Sequence, residues 1–91
     1  MMTRPDPRPL HAIAADIRAA WPDPTGAACL WLRAMDHVAT CTDRHHTETG
    51  ATIITGFLEA ARHWTGPAAT AYKTELADIY RRHSDTTEEQ P

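Results

Sequence analysis

Apolar side chains recur at intervals of three and four residues along four stretches of this 91-residue chain. Leu10, Ile13 and Ile17 show the pattern in the first stretch, and no stretch alternates apolar and polar residues. Intervals of three and four bring side chains to one face of an α-helix, whereas strict alternation is typical of a half-buried strand. The sequence therefore predicts an all-α fold.

Prolines and glycines divide this pattern into four predicted helices. Asp6 is the predicted N-cap of the first helix, and Asp23 followed by Pro24 suits the start of the second. The stretch "WTGPAA" predicts a corner before the fourth helix, with Thr65 or Gly66 as its cap. The predicted helices span about 6–20, 24–40, 51–64 and 66–83, and a long connection joins the second to the third.

The length indicates one domain, which we place at residues 6–83. Residues 1–5 are expected to be a flexible N-terminus, and 84–91 a disordered acidic tail because they contain no apolar side chain. The predicted core takes the residues at the centre of each apolar stripe. They are Leu10, Ile13, Ile17, Leu30, Trp31, Met35, Val38, Ile53, Phe57, Trp64, Tyr72, Leu76 and Ile79.

Composition narrows the classes of function. The net charge of −3 provides no basic excess, which disfavours nucleic-acid binding. No apolar run approaches the ~20 residues that a membrane span needs. If Cys29 and Cys41 share one helix, roughly 18 Å separates them, too far for a disulfide. We therefore expect a cytoplasmic protein with no membrane partner.

Catalytic signatures are missing from the sequence. It contains neither a G-x-S-x-G motif nor a glycine-rich phosphate loop. Glu59 and His63 are spaced as an acid–base pair on one helix, although such pairs are more often plain surface contacts. A four-helix domain of this size is also expected to leave little room for a pocket of ~300 Å³ or more. The sequence predicts neither an enzyme nor a cofactor.

Six histidines raise the question of a metal. His37 and Cys41 are four residues apart, a spacing that allows two ligands on one helix face, and His45 and His46 follow. No C-x-x-C or H-E-x-x-H motif supports the pair. His37 and Cys41 therefore remain weak metal candidates.

Protein binding has the best positive indication. Three apolar residues lie on the shoulders of their predicted helices, where some are expected to stay exposed and form an association surface. They would equally serve to widen the core. A charged segment of the middle connection would rim such a surface, or be plain solvated loop. The candidates are Leu32, Leu58 and Tyr80, with Arg44, His45 and His46 at the rim.

Two segments, "IAADIRAAW" and "FLEAARHWTGPAATAYKTEL", resemble a group of small hypothetical proteins from actinobacterial phages. That group typically has Ile-x-x-Asp-Ile-Arg-x-x-Trp early and Trp-x-Gly-x-x-Ala-x-x-x-Lys-x-Glu-Leu late. The resemblance covers the outer parts of the chain, and the histidine-containing middle departs from it. The matching residues are Asp16, Ile17, Arg18, Trp21, Trp64, Gly66, Ala69, Lys73, Glu75 and Leu76.

The resemblance implies a setting, a phage or prophage accessory gene in an actinobacterial host, and assigns no residue a functional role. Asp16 and Arg18 would match simply because they pair with Lys73 or Glu75 across the bundle. Small phage accessory proteins often bind and block a host protein. We therefore expect a non-enzymatic protein that binds a host target or a second copy of itself. Nucleic-acid binding is the first alternative, and metal binding through the His/Cys residues the second.

Overall fold

The computed structural model describes residues 8–24 and 26–88, with side chains up to Ser84. Four helices and one short antiparallel hairpin make up the regular structure of these residues, so the mostly helical fold is confirmed. The hairpin lies in the middle connection, where only a loop was predicted. In chain order the elements are α1 (Leu10–Ala20), α2 (Ala27–Met35), β1 (Arg44–His45), β2 (Glu48–Thr49), α3 (Gly50–Ala60) and α4 (Pro67–Glu88).

The first helix begins later than predicted. α1 starts at Leu10 after an extended Pro9, and the predicted cap Asp6 lies outside the described residues. The backbone carbonyls of Ala39 and Val38 accept hydrogen bonds from the amides of Leu10 and His11, both 3.0 Å long. The first amides of α1 have no partner within the helix and no side-chain cap, so these two carbonyls satisfy them.

The second helix is shorter than predicted at both ends. α2 begins at Ala27 after Gly26, whose φ is 58°, so Asp23 is not its cap. It ends at Met35 because the chain turns there to bring residues 38 and 39 against α1. The Asp43 carboxylate holds this turn by accepting hydrogen bonds from the amides of Ala39 and Thr40, at 2.8 and 3.2 Å.

The other two helices also shift their bounds. α3 ends at Ala60 instead of about Trp64, and α4 begins at Pro67 as the corner predicts. Trp64 is half-buried and stacks on Trp21 with ring centroids 4.7 Å apart. α4 extends to Glu88 and so takes in residues 84–88 of the segment assigned to the tail, whereas 89–91 lie outside the described residues.

The core lies among the four helices, where α1 and α3 each pack on both α2 and α4, and most of its predicted members are buried. Leu30 is the exception, since 64% of its surface is exposed. Leu32, predicted as a surface residue, is only 1% exposed. α2 is therefore rotated by one residue position, roughly 100°, from the predicted orientation. Trp31, Trp64, Tyr72 and Ile79 are partly buried against the core, and Leu10, Ile13, Ile17, Met35, Val38, Ile53, Phe57 and Leu76 are buried within it.

Ion pairs join the helices in a different pattern from the predicted one. Arg8 bonds both the Asp16 carboxylate of α1, at 2.5 Å, and the Glu75 carboxylate of α4, at 2.9 Å. Arg18 pairs with Asp36, just beyond α2, at 2.6 Å. Asp16 and Glu75 are thus linked through Arg8, a residue that the sequence argument did not consider.

None of the described helices combines the length and the apolar character that a membrane crossing requires.

Gly50, the first residue of α3, packs directly on the backbone of the middle connection. A Cβ atom added there would lie 2.1 Å from the Thr40 carbonyl oxygen, and the Gly50 amide donates to the Asp43 carbonyl at 2.9 Å. Since the obstacle is backbone, a side chain would push α3 away from the connection.

We therefore expect Gly50→Ala to lower the free energy of unfolding by about 1–3 kcal/mol, the usual cost of overpacking. Urea denaturation measures this. Thr55→Ala is the matched control, because Thr55 is exposed on the same helix and its replacement is expected to change stability by less than about 0.5 kcal/mol. Equal stability of Gly50→Ala and the wild type would contradict the close approach.

Candidate protein-binding surface

Two open depressions lie on either side of Trp31, and both are lined by Ala27 and Trp31. We call the larger one, about 570 Å³ between α2 and the hairpin, the α2 groove. Its lining consists of Ala27, Leu30, Trp31, Arg33, Ala34, His37, His45, His46 and Glu48. The smaller one, about 370 Å³ between α2 and α3, is the α3 depression. Both volumes exceed the ~300 Å³ for which little room was expected, and both depressions are open to solvent.

The floor of the α2 groove is apolar, and its position follows from Gly56. A Cβ atom at Gly56 would meet the Trp31 ring at 2.3 Å, so the indole lies directly on the backbone of α3. Leu30, the neighbour of Trp31, then projects outward. Among the described residues it is the one large hydrophobic side chain that is exposed.

The exposure of Leu30 has an energetic consequence. Covering a leucine side chain completely is worth about 1.5–3 kcal/mol. Together with the half-buried Trp31 ring it offers a partner an apolar anchor, and tryptophan is a residue type enriched where binding energy concentrates.

Beside the apolar floor, the groove has a polar wall that includes a histidine cluster, which we define as His37, His45 and His46. The rings of His37 and His45 are stacked with centroids 4.3 Å apart and planes 5° from parallel. The ring of His46 is tilted against His45, with centroids 4.2 Å apart. The hairpin creates this cluster because it folds back toward the residues that follow α2.

The cluster crowds three groups that can carry positive charge. Desolvation lowers the pKa of His45 from its ordinary value of 6.5, and the neighbouring His46 and His37 lower it further, whereas Glu48 opposes them. His46 has a φ of 58°, a left-handed conformation that costs a residue other than glycine about 1 kcal/mol or more.

The weak metal pair His37 and Cys41 is not assembled. His37 is exposed in the groove, whereas Cys41 is only 7% exposed within the core, where desolvation raises the pKa of its thiol. Helix α2 ends before Cys41, so the helical spacing on which the pair depended does not apply. In the part of the chain that the structure describes, no group of three or more His, Cys, Asp or Glu side chains is arranged to hold a metal.

The predicted binding residues separate into three groups. Leu32 is buried, so it offers no surface to a partner and that assignment is wrong. Leu58 and Tyr80 are partly buried against the core. His45 and His46 line the α2 groove, whereas Arg44 is exposed on β1 outside that lining.

Sequence reasoning missed the groove floor because it assigned Leu30 and Trp31 to the core. The run Leu30-Trp31-Leu32 allows either leucine to face inward. Small Gly56 opposite a tryptophan was the signal that could have found the floor, since a glycine inside a helix often marks a close approach.

Glu59 and His63 both line the α3 depression, but the Glu59 carboxylate is paired with another residue. Arg62 donates to it at 2.5 Å, and the Glu59 side chain is 75% exposed. Glu59 is therefore paired at the surface with Arg62, and not with His63 as the spacing had suggested.

Comparisons with protein-family models, curated proteins and solved structures find no match to this chain.

The lowered pKa of His45 predicts how stability depends on pH. Between this lowered pKa and 6.5 the unfolded chain binds more protons than the folded one, so stability falls as the pH drops through that window. His45→Phe keeps a flat ring but removes the titration, and it should lose less stability on going from about pH 7 to about pH 5. Urea denaturation at both pH values measures this, with His63→Phe as the control outside the cluster. An NMR titration that gives His45 a pKa of 6.5 or higher would contradict the crowding.

The contact of Trp31 with Gly56 gives a further prediction. Gly56→Ala gains helix propensity of about 1 kcal/mol but must displace the indole, so we expect little net change in stability. The NMR resonance of the Trp31 indole N–H should shift, whereas those of Trp21 and Trp64 should not. An unshifted Trp31 resonance would show that the ring does not lie on the α3 backbone.

Proposed function

We propose that this chain is a non-enzymatic protein-binding module whose contact surface is the α2 groove. The observation that carries the proposal is Leu30, 64% exposed beside the half-buried Trp31 at the floor of a groove of about 570 Å³. An apolar floor with a polar wall is the arrangement that lets a partner gain energy from burial and orientation from hydrogen bonds.

The dimensions of the groove favour a short segment as the bound element. An amphipathic helix or extended peptide inserts one or two apolar side chains into such a groove. An apolar side chain of the partner would cover Leu30 and Trp31, and the other exposed residues of α2 would contact the rest of the segment.

The setting that we propose is an accessory protein of the actinobacterial phage type, acting on a host protein in the cytoplasm or on a second copy of itself. The resemblance of the outer segments favours the phage setting. The thiols of Cys29 and Cys41 are both free, which suits a reducing compartment.

Nucleic-acid binding remains the alternative with less support. The fixed charges in the groove lining are Arg33 and Glu48, which offset each other, and the whole chain carries −3. A phosphate-binding surface normally presents several permanent cations.

The test uses Leu30→Glu, which puts a charge on the groove floor, and Thr55→Glu, a control at an exposed position of α3. Both should fold with stabilities within about 0.5 kcal/mol of the wild type, since neither position is buried. In pulldowns from an actinobacterial lysate, a protein recovered by the wild type and by Thr55→Glu should fall at least about tenfold with Leu30→Glu, the loss expected for an anchor.

Analytical ultracentrifugation of the same three proteins examines self-association. A dimer that Leu30→Glu abolishes identifies the second copy as the partner. Recovery of the same proteins by all three, or of DNA alone, would reject the α2 groove as a protein-binding surface.

A further inference from the structure

The polar wall of the α2 groove contains more groups that can carry positive charge than groups that carry negative charge. Arg33, His37, His45 and His46 line it, and Glu48 is the one carboxylate in the lining. When the imidazoles are neutral, Arg33 and Glu48 cancel; each proton that the histidine cluster takes up adds a net positive charge.

We infer that the α2 groove binds a peptide segment of another protein that carries a carboxylate beside an apolar side chain, and that it binds this segment more tightly as the histidine cluster is protonated. The inference rests on the proposed function and names the partner's chemistry. The apolar side chain covers Leu30 and Trp31, and the carboxylate accepts hydrogen bonds from the cluster.

The imidazoles are available for such bonds. Among the residues that the structure describes, the His37 and His45 rings are stacked, the His46 ring is tilted against His45, and no hydrogen bond is observed at the nitrogens of these three rings. Protonated imidazoles have two N–H donors each. An unoccupied donor that faces a groove is more useful to a ligand than one already paired within the fold.

The charged groups near the cluster leave room for an anionic ligand. On α2 and its end, Arg33 lines the groove, and the Asp36 carboxylate is occupied by Arg18 at 2.6 and 2.7 Å. On the hairpin, Glu48 is the opposing charge and Arg44 lies outside the lining. The groove lining therefore contains a single carboxylate, that of Glu48.

The neighbouring elements add no further acid to the groove lining. On α3, Glu59 lines the other depression and is paired with Arg62, and His63 lies beside them. On α1, His11 is exposed and its amide bonds to the Val38 carbonyl near the end of the cluster. These groups do not compete with a carboxylate for the wall of the α2 groove.

Protonation of the histidine cluster makes the binding depend on pH, because it supplies the positive charge with which a ligand carboxylate pairs. Three imidazoles with centroids 4.2 and 4.3 Å apart resist being charged together, and a ligand carboxylate relieves this repulsion. By linkage, a ligand that favours the protonated cluster binds more tightly at lower pH.

A protein segment fits this surface better than a nucleic acid does. The apolar floor matches an aliphatic or aromatic side chain, and one arginine offset by one glutamate gives no track for a phosphate backbone. A carboxylate next to an apolar residue uses both the floor and the wall at once.

The experiment selects ligands for the full chain from a phage-displayed library of random peptides of about 12 residues, a length that suits groove binding. Selection is carried out at about pH 5, because the pKa of His45 is lowered below 6.5 and the ligand carboxylates remain largely ionised there. The library is first depleted on Leu30→Glu, so that only ligands of the groove floor remain. Selected peptides are synthesised with Asp and Glu, and as matched versions with Asn and Gln.

We expect the selected peptides to combine an apolar residue with Asp or Glu and to bind about tenfold more tightly at about pH 5 than at about pH 8, equivalent to one charge-assisted hydrogen bond. The Asn/Gln versions should lose this ratio. The double variant His37→Gln/His45→Gln should lose it as well, whereas His63→Gln, outside the cluster, should retain it.

The alternative results separate the two proposals. Apolar peptides without Asp or Glu, bound equally at both pH values, would overturn this inference and leave the protein-binding groove standing. Failure to recover any peptide that depends on Leu30 would overturn both. Displacement of the peptides by mixed-sequence DNA at low concentration would overturn the choice of a protein segment and identify nucleic acid as the occupant.

Discussion

The contact between the Trp31 indole and the backbone at Gly56 determines how α2 sits on the bundle. With Trp31 turned toward α3, the two leucines on either side of it are turned about 100° in opposite directions. Leu32 thereby enters the core and Leu30 faces solvent. One close approach between two helices therefore produces both the packing of α2 and the apolar floor of the groove.

A second constraint comes from backbone hydrogen bonds in the middle connection. The carbonyls of Val38 and Ala39 bind the first amides of α1, and the Asp43 carboxylate binds the amides of Ala39 and Thr40. These bonds need a chain that has left the helix, so α2 ends early. The hairpin follows this turn and brings His45 beside His37, eight residues earlier in the chain.

The sequence allowed the helices to be predicted because their apolar spacing is local information, and Pro67 located the corner before α4 for the same reason. It did not allow the orientation of α2 to be predicted, since alanines and leucines on both sides of Trp31 give two stripes of similar quality. Only the distant Gly56 decides between them. The histidine cluster could not be predicted either. A hairpin of two residue pairs is too short to show a periodic pattern. The left-handed backbone in its turn lies at His46 and not at a glycine, the residue type that usually marks such a conformation.

Several features that lower stability or solubility occur together at the α2 groove. An exposed leucine, a left-handed histidine and three crowded imidazoles each work against the folded, soluble state, and all line the same surface. Elsewhere in the described residues, no buried side-chain nitrogen or oxygen lacks a hydrogen-bond partner, and Arg8 and Arg18 tie the helices together through carboxylates. Features that reduce the stability of the fold are often found together at functional sites. They persist there because the binding of a partner depends on them. Since Leu30 lies outside the core, its side chain can adjust to a partner without altering the contact of Trp31 with α3 that positions α2.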